Sequence, residues 1–178
     1  MFAQKSPQQQ LDEQLEELYP RIERSVRVYT LGSGIDAADL TQEVFLKAVR
    51  SIDSFTEDSA LYTWLFRIAR NTSIDALRRL RTRRRYQADS EMDETRFGFD
   101  DDTDTIDSRE SVRMVQQAIA QLEPDYRDLI VMREMEGLSI AEIAEIADLK
   151  EGTVKSRLFR ARLMLKELLT KAGYEHDT

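Results

Sequence analysis

The sequence predicts an all-α protein built as two helical modules joined by an acidic flexible linker. Three observations lead there. Apolar residues recur at steps of three and four along most of the chain, and no strand-like alternation of useful length occurs. Six Gly and three Pro among 178 residues are too few for a turn-rich all-β protein. From Gln87 to about Asp107 the periodicity stops, and Asp100, Asp101, Asp102, Asp104 and Asp107 form a tract that cannot bury itself. The boundaries read from this pattern are 1–86, 87–110 and 111–178.

Leu11, Leu15, Leu18, Ile22, Val26 and Tyr29 share one helical face. Pro20 lacks an amide donor and is expected to break that segment into two pieces. Gly32 and Gly34 mark a loop at residues 30–35. Asp36 then N-caps a helix running to about Ser51, with Leu40, Val44, Phe45, Ala48, Val49 and Ile52 as its core stripe. The opposite face carries Asp39, Gln42, Glu43, Leu46, Lys47 and Arg50, a leucine set among charges. A polar loop at residues 53–59 surrounds Phe55.

A long helix over residues 60–84 is predicted next, burying Leu61, Leu65, Ile68, Ala69, Thr72, Ala76 and Leu80. Tyr62, Trp64 and Phe66 crowd its first turns and arginines crowd its end. Aromatics beside arginines suit bases that have left the duplex, with Arg67, Arg70, Arg78 and Arg79 available to phosphates. Trp64, flanked by Leu61, Leu65 and Ile68, reads more readily as core. In the second module Val112, Val115, Ile119 and Leu122, then Leu129, Ile130 and Met132, restore helical periodicity.

Residues 138–169 carry the most specific local pattern. Ser139 and Glu142 make a capping box that opens a helix with Ile143, Ala144 and Ala147 facing inward. Leu149 packs across a turn, Gly152 supplies a permissive backbone position, and Thr153 is expected to N-cap the next helix. On that helix Val154, Leu158, Ala161, Leu165 and Leu168 lie on one side. Lys155, Ser156, Phe159 and Arg160 project from the other, in the turns that a helix-turn-helix inserts into the major groove. Lys and Arg there can meet phosphates or guanine edges, Ser can hydrogen-bond, and Phe can touch a thymine methyl.

Composition excludes much else. Zero Cys removes disulfides, thiolate metal sites and cysteine nucleophiles, and the single His, His176, removes histidine-based catalysis. No cofactor or metal is expected, and no carboxylate sits with a base, nucleophile or ligand set that would make an enzyme. Without a long apolar run or a signal-peptide segment the chain reads as soluble and cytoplasmic. The net charge of −8 conceals segregation: eight Arg against one Asp give +7 over residues 65–86, and seven basic against two acidic residues give +5 over 149–171. Between them, residues 87–110 hold two basic against ten acidic groups, or −8. Two cationic blocks separated by an anionic spacer call for a polyanionic partner held under control.

Three sequence blocks resemble a known family. They are Asp36-Ala-Ala-Asp-Leu-Thr-Gln-Glu-Val-Phe-Leu-Lys47, Tyr62-Thr-Trp-Leu-Phe-Arg-Ile-Ala-Arg-Asn71, and Glu136-Gly-Leu-Ser through Gly152-Thr-Val-Lys-Ser-Arg-Leu-Phe-Arg-Ala-Arg162. In that order they resemble the extracytoplasmic-function (ECF) sigma factors of bacterial RNA polymerase. The resemblance implies a sigma-two-like and a sigma-four-like domain, with core RNA polymerase, promoter DNA and an anti-sigma factor as partners. It implies that Asp39, Gln42, Glu43 and Leu46 dock on a coiled coil of the polymerase's largest subunit. The loop holding Phe55 would help capture a flipped −10 base, with Arg67, Asn71, Arg78 and Arg79 beside that element. Lys155, Ser156, Phe159 and Arg160 would read the −35 element. The linker would thread toward the RNA exit path, and in the free chain its charge would repel DNA or cover the basic blocks. The arginine run at residues 81–85 either grips upstream DNA or solvates the helix end. A stand-alone helix-turn-helix regulator is the nearest rival reading, and an all-α adaptor that contacts only proteins is another.

Overall fold

In a computed structural model of the protein, residues 6–56, 60–87 and 106–174 are described, and every regular element among them is helical. They form two compact units. The acidic tract assigned to the linker falls almost wholly outside the described residues.

The first unit contains α1 (Pro7–Thr30), α2 (Ala37–Ser51), a 3-10 turn (Ile52–Ser54) and α3 (Leu61–Gln87). α1 opens on a capping box: the Gln9 amide donates to Ser6 Oγ at 3.3 Å, and the Ser6 amide donates to Gln9 Oε1 at 3.0 Å. Pro7 supports that first turn, so the helix begins ahead of its apolar stripe. It also runs unbroken through Pro20, against expectation. Pro20 lies on the exposed side, where solvent can serve the carbonyl left without an amide partner. Leu18 and Ile22, on either side of it, are both buried and hold the axis in place.

The three helices pack pairwise around Leu18, Ile22 and Val26 of α1, Leu40, Val44 and Ala48 of α2, and Leu65, Phe66 and Ala69 of α3. Burying each large aliphatic or aromatic side chain contributes roughly 1.5–3 kcal/mol. Tyr19 of α1 stacks on Phe45 of α2 at 5.2 Å, and the Arg21 guanidinium lies 3.5 Å over the Tyr62 ring. Buried hydroxyls donate one turn back, Thr30 Oγ1 to the Val26 carbonyl at 3.0 Å and Thr41 Oγ1 to the Ala37 carbonyl at 2.7 Å. Two residues expected in this core, Leu15 and Val49, are instead exposed. Each sits at the edge of its stripe, where a helix face turns from its neighbours toward water.

The second unit contains α4 (Ile106–Gln121), α5 (Pro124–Ile130), a π-helical turn (Val131–Met135), α6 (Ile140–Ala147) and α7 (Glu151–Lys171). Ile119, Leu122, Leu129, Ile130, Met132, Ile143, Val154 and Leu158 are buried, whereas Val112 is exposed rather than core. The end of α4 is finished by Arg127, whose Nη2 donates to the Ala120 carbonyl and, at 3.2 Å, to the Leu122 carbonyl. In the wide turn the Glu136 amide reaches back to the Val131 carbonyl at 3.1 Å. Gly137 follows at φ 68°, a left-handed position that glycine takes without strain.

Candidate nucleic-acid interface and docking face

The helical hairpin of α6 and α7 is set by its caps. The Glu142 amide donates to Ser139 Oγ at 3.2 Å, and the Ser139 amide donates to Glu142 Oε2 at 2.8 Å, as the sequence implies. The turn itself differs from expectation. Its left-handed residue is Asp148, at φ 53° and ψ 51°, while Gly152 already lies within α7. A short polar side chain tolerates this conformation better than most non-glycine residues. Thr153 does not cap α7: its amide donates to the Lys150 carbonyl at 2.8 Å, and Lys150 holds the cap position without a side-chain bond. On α6, Ile146 is buried with Ile143, and Ala144 and Ala147 are only half-buried.

α7 is divided lengthwise. Val154, Leu158 and Ala161 are buried and seat it. Lys155, Ser156, Phe159 and Arg160 are exposed together on its opposite side, with Phe159 left 64% accessible. Leu165 and Leu168 are half-buried. Two arginines of the same helix serve the fold instead. Arg162 donates from Nε and Nη2 to Glu134 Oε1 at 2.9 and 2.7 Å, and Arg157 donates to Asp125 Oδ2 at 3.4 Å. Sequence reasoning missed these fasteners because their partners lie 28 and 32 residues away. Nothing local signals them.

In the first unit Asp39, Gln42 and Leu46 are exposed on one face of α2, and Glu43 is half-buried beside them. Asp36 fixes the start of that face, accepting from the Ala38 and Asp39 amides at 2.8 and 3.1 Å. Leu46 is 57% accessible among polar neighbours. The exposed Val49, one turn on, extends the apolar surface, and its place at the edge of the stripe hid that role. Lys47 bridges Glu43 at 2.8 Å and donates to Thr72 Oγ1 of α3 at 3.2 Å.

On α3, Asn71, Arg78 and Arg79 are exposed and Arg67 is half-buried. Arg79 stands 4.0 Å from Glu43, so residues assigned separately to polymerase and to DNA meet across α2 and α3. Arg78 faces Asp75 at 3.7 Å, and Arg70 Nη1 donates to Asn71 Oδ1 at 3.2 Å. Phe55 is 7% accessible, its ring tilted against Trp64 at 5.6 Å. So placed, its ring packs inward beside Trp64. Among the described residues no helix is long and apolar enough to cross a membrane, and no group of three acidic or His side chains could hold a metal. These surfaces present exposed charged, polar and apolar side chains.

Comparison with known proteins places both units. Residues 15–84 match the Sigma-70 region 2 family, and residues 113–165 match the Sigma-70, region 4 family. Over 140 residues the chain is 43% identical to the ECF RNA polymerase sigma-E factor of Haemophilus influenzae, covering 74% of this chain and 73% of that one. It is 40% identical over 144 residues to the RNA polymerase sigma-H factor of Pseudomonas aeruginosa, covering 75% and 73%. Among solved structures it is similar to the sigma factor RpoE in complex with the anti-sigma factor NepR from Bartonella quintana. That match has a TM-score of 0.74 and 29% identity over 90% of this chain and 97% of the other.

Proposed function

The chain belongs to the extracytoplasmic-function sigma factors, and from that premise we propose how its two units divide the work of promoter recognition. As a sigma factor it binds core RNA polymerase and directs it to promoters, where DNA melting begins. Residues 1–86 serve polymerase binding and the −10 element, residues 111–178 serve the −35 element, and residues 87–110 tether them. Asp39, Gln42, Glu43 and Leu46 form the docking face, a leucine anchor ringed by polar groups. Arg67, Asn71, Arg78 and Arg79 act beside the −10 element. Phe55 supports the loop that captures a base there.

One observation carries the −35 assignment: Lys155, Ser156, Phe159 and Arg160 stand exposed together on the first turns of the hairpin's second helix, while other residues seat it. The polymerase makes the bonds, so the chain needs no catalytic group of its own and no small-molecule substrate. It works in the cytoplasm without inserting into a membrane. The Bartonella quintana relative is seen in complex with an anti-sigma factor, and control of the same kind is assigned here.

The test is run-off transcription with purified core polymerase, with and without the chain. Start sites should depend on the chain and move with the −10 and −35 sequences. Arg160→Ala should cost about 1–3 kcal/mol at cognate −35 sequences and little elsewhere. Unchanged start sites when the chain is omitted would refute the assignment, and footprinting of operators by the free chain would favour a stand-alone regulator.

A further inference from the structure

The seam between α2 and α3 joins two surfaces assigned to different partners. Glu43 belongs to the docking face and Arg79 to the cations beside the −10 element, and the two lie 4.0 Å apart. On α3, Arg79 follows Thr72 by seven residues, which returns it to within about 20° of the same line along the helix. Lys47, one turn after Glu43 on α2, meets that glutamate at 2.8 Å and donates to Thr72 Oγ1 at 3.2 Å. One carboxylate therefore holds a cation from each helix across the seam.

The two cations are not held alike. Both approach Oε1 of Glu43, and Oε2 takes neither. Lys47 has the shorter contact and a second partner in Thr72, which is itself buried. Arg79 has the longer contact and, among the described residues, no other acidic partner. Its neighbour Arg78 faces Asp75 within α3 at 3.7 Å instead. Attraction falls with distance, so a cation brought to Oε2 from outside displaces the partner held at 4.0 Å and leaves Lys47 in place.

We infer that Glu43 couples docking to DNA contact: a Lys or Arg of the polymerase surface draws its carboxylate away from Arg79 and frees that guanidinium for a phosphate of the −10 element. The inference deepens the proposed function and rests on its docking and −10 assignments. Coupling between two binding sites is reciprocal, so DNA held by Arg79 raises affinity for core polymerase by the same factor. An ion pair this exposed limits that factor to roughly 1.5- to 5-fold. The tie lies within the first unit and needs no contribution from the acidic tract at residues 87–110.

The experiment follows the anisotropy of a labelled single-stranded −10 oligonucleotide, taken from a promoter mapped by run-off transcription. It is titrated with the full chain alone, and with holoenzyme formed in saturating core polymerase because Glu43→Gln also weakens docking. Both titrations share one low-salt buffer, and circular dichroism checks the fold of each variant. Wild-type holoenzyme should bind the oligonucleotide more tightly than the free chain does. Glu43→Gln should shrink that ratio by roughly 1.5- to 5-fold, with the gain falling on the free chain. In an Arg79→Gln background the same substitution should no longer change the ratio. In an Arg78→Gln background the change should persist, since Arg78 pairs with Asp75. It should also persist when Asp100, Asp101, Asp102 and Asp104 are replaced with Asn.

Equal gains by the free chain and the holoenzyme would make Glu43 a general negative charge near DNA and overturn the coupling. No gain by the free chain, or a shift in the ratio that survives Arg79→Gln, would overturn it as well. A shift that vanishes with the Asn replacements would assign the restraint to the acidic tract and not to Glu43. Failure of the functional reading looks different, because wild-type holoenzyme would then bind the −10 oligonucleotide no better than a scrambled one, and the coupling would fall with it.

Discussion

Reversing the charge at Glu43 separates a docking role from a folding role. Within the first unit Glu43 meets Lys47 at 2.8 Å and Arg79 at 4.0 Å, with side-chain accessibilities of 42%, 40% and 67%. Ion pairs this exposed contribute roughly 0.2–1 kcal/mol each, and salt screens them further. Glu43→Lys adds a like-charge pair one turn apart, which costs about 0.2–0.5 kcal/mol more. The fold should therefore lose on the order of 1 kcal/mol from a total of roughly 5–15 kcal/mol. In a unit of this size the melting temperature falls by about 4–8 °C. At a polymerase interface the same reversal removes a charged contact and introduces a repulsion, costing about 2–5 kcal/mol, a drop in affinity of roughly 30- to several thousand-fold. Thermal melts and an anisotropy titration of the labelled chain with core polymerase measure the two effects. Glu43→Gln should fall between wild type and the reversal in both. Core affinity within roughly threefold of wild type, with the fold intact, would refute the docking assignment. Outright unfolding would show that the pair with Arg79 matters far more to the fold than exposed ion pairs do.

Other substitutions probe features the pattern alone did not reveal. Pro20→Ala should raise thermal stability by about 1–3 kcal/mol, because alanine restores an amide donor in the middle of α1. A lower melting temperature would mean that the proline fixes a needed bend. Nothing lies within 4 Å of a Cβ built on Gly152, so Gly152→Ala should stabilise α7 in urea melts, by about 0.5–1 kcal/mol. Gly137→Ala, at φ 68°, should destabilise by about 1 kcal/mol instead. Replacing Asp100, Asp101, Asp102 and Asp104 with Asn should increase DNA binding by the free chain, most at low salt, when followed by anisotropy. No increase would remove the tract from control of DNA access.

The sequence revealed the parts of this fold that depend on neighbours in the chain. Asp36 and the Ser139–Glu142 pair announce helix starts because a cap acts across two or three residues. The exposed quartet on α7 was readable for the same reason, since a buried stripe fixes the opposite face by geometry. Features set by distant partners stayed hidden. Arg157 and Arg162 look like DNA-binding cations until Asp125 and Glu134 are brought beside them. Val49 and Val112 have the right spacing for core, but no neighbouring helix covers either among the described residues. Pro20 and Asp148 show local preference giving way, the first to packing on both sides and the second to the geometry of a short turn. The π-helical turn has no periodic signature at all, because a single wide turn shifts the register only once.

The lengthwise division of α7 has a consequence for how regulons diverge. Val154, Leu158 and Ala161 attach the helix from its buried side and Arg157 from its flank, apart from Lys155, Ser156, Phe159 and Arg160, while Arg162, exposed beside Lys155, is held by Glu134. Selection can rewrite the second set while the first keeps the scaffold whole. Duplicate copies could thus drift toward different target sites through a few surface exchanges, with no intermediate that fails to fold.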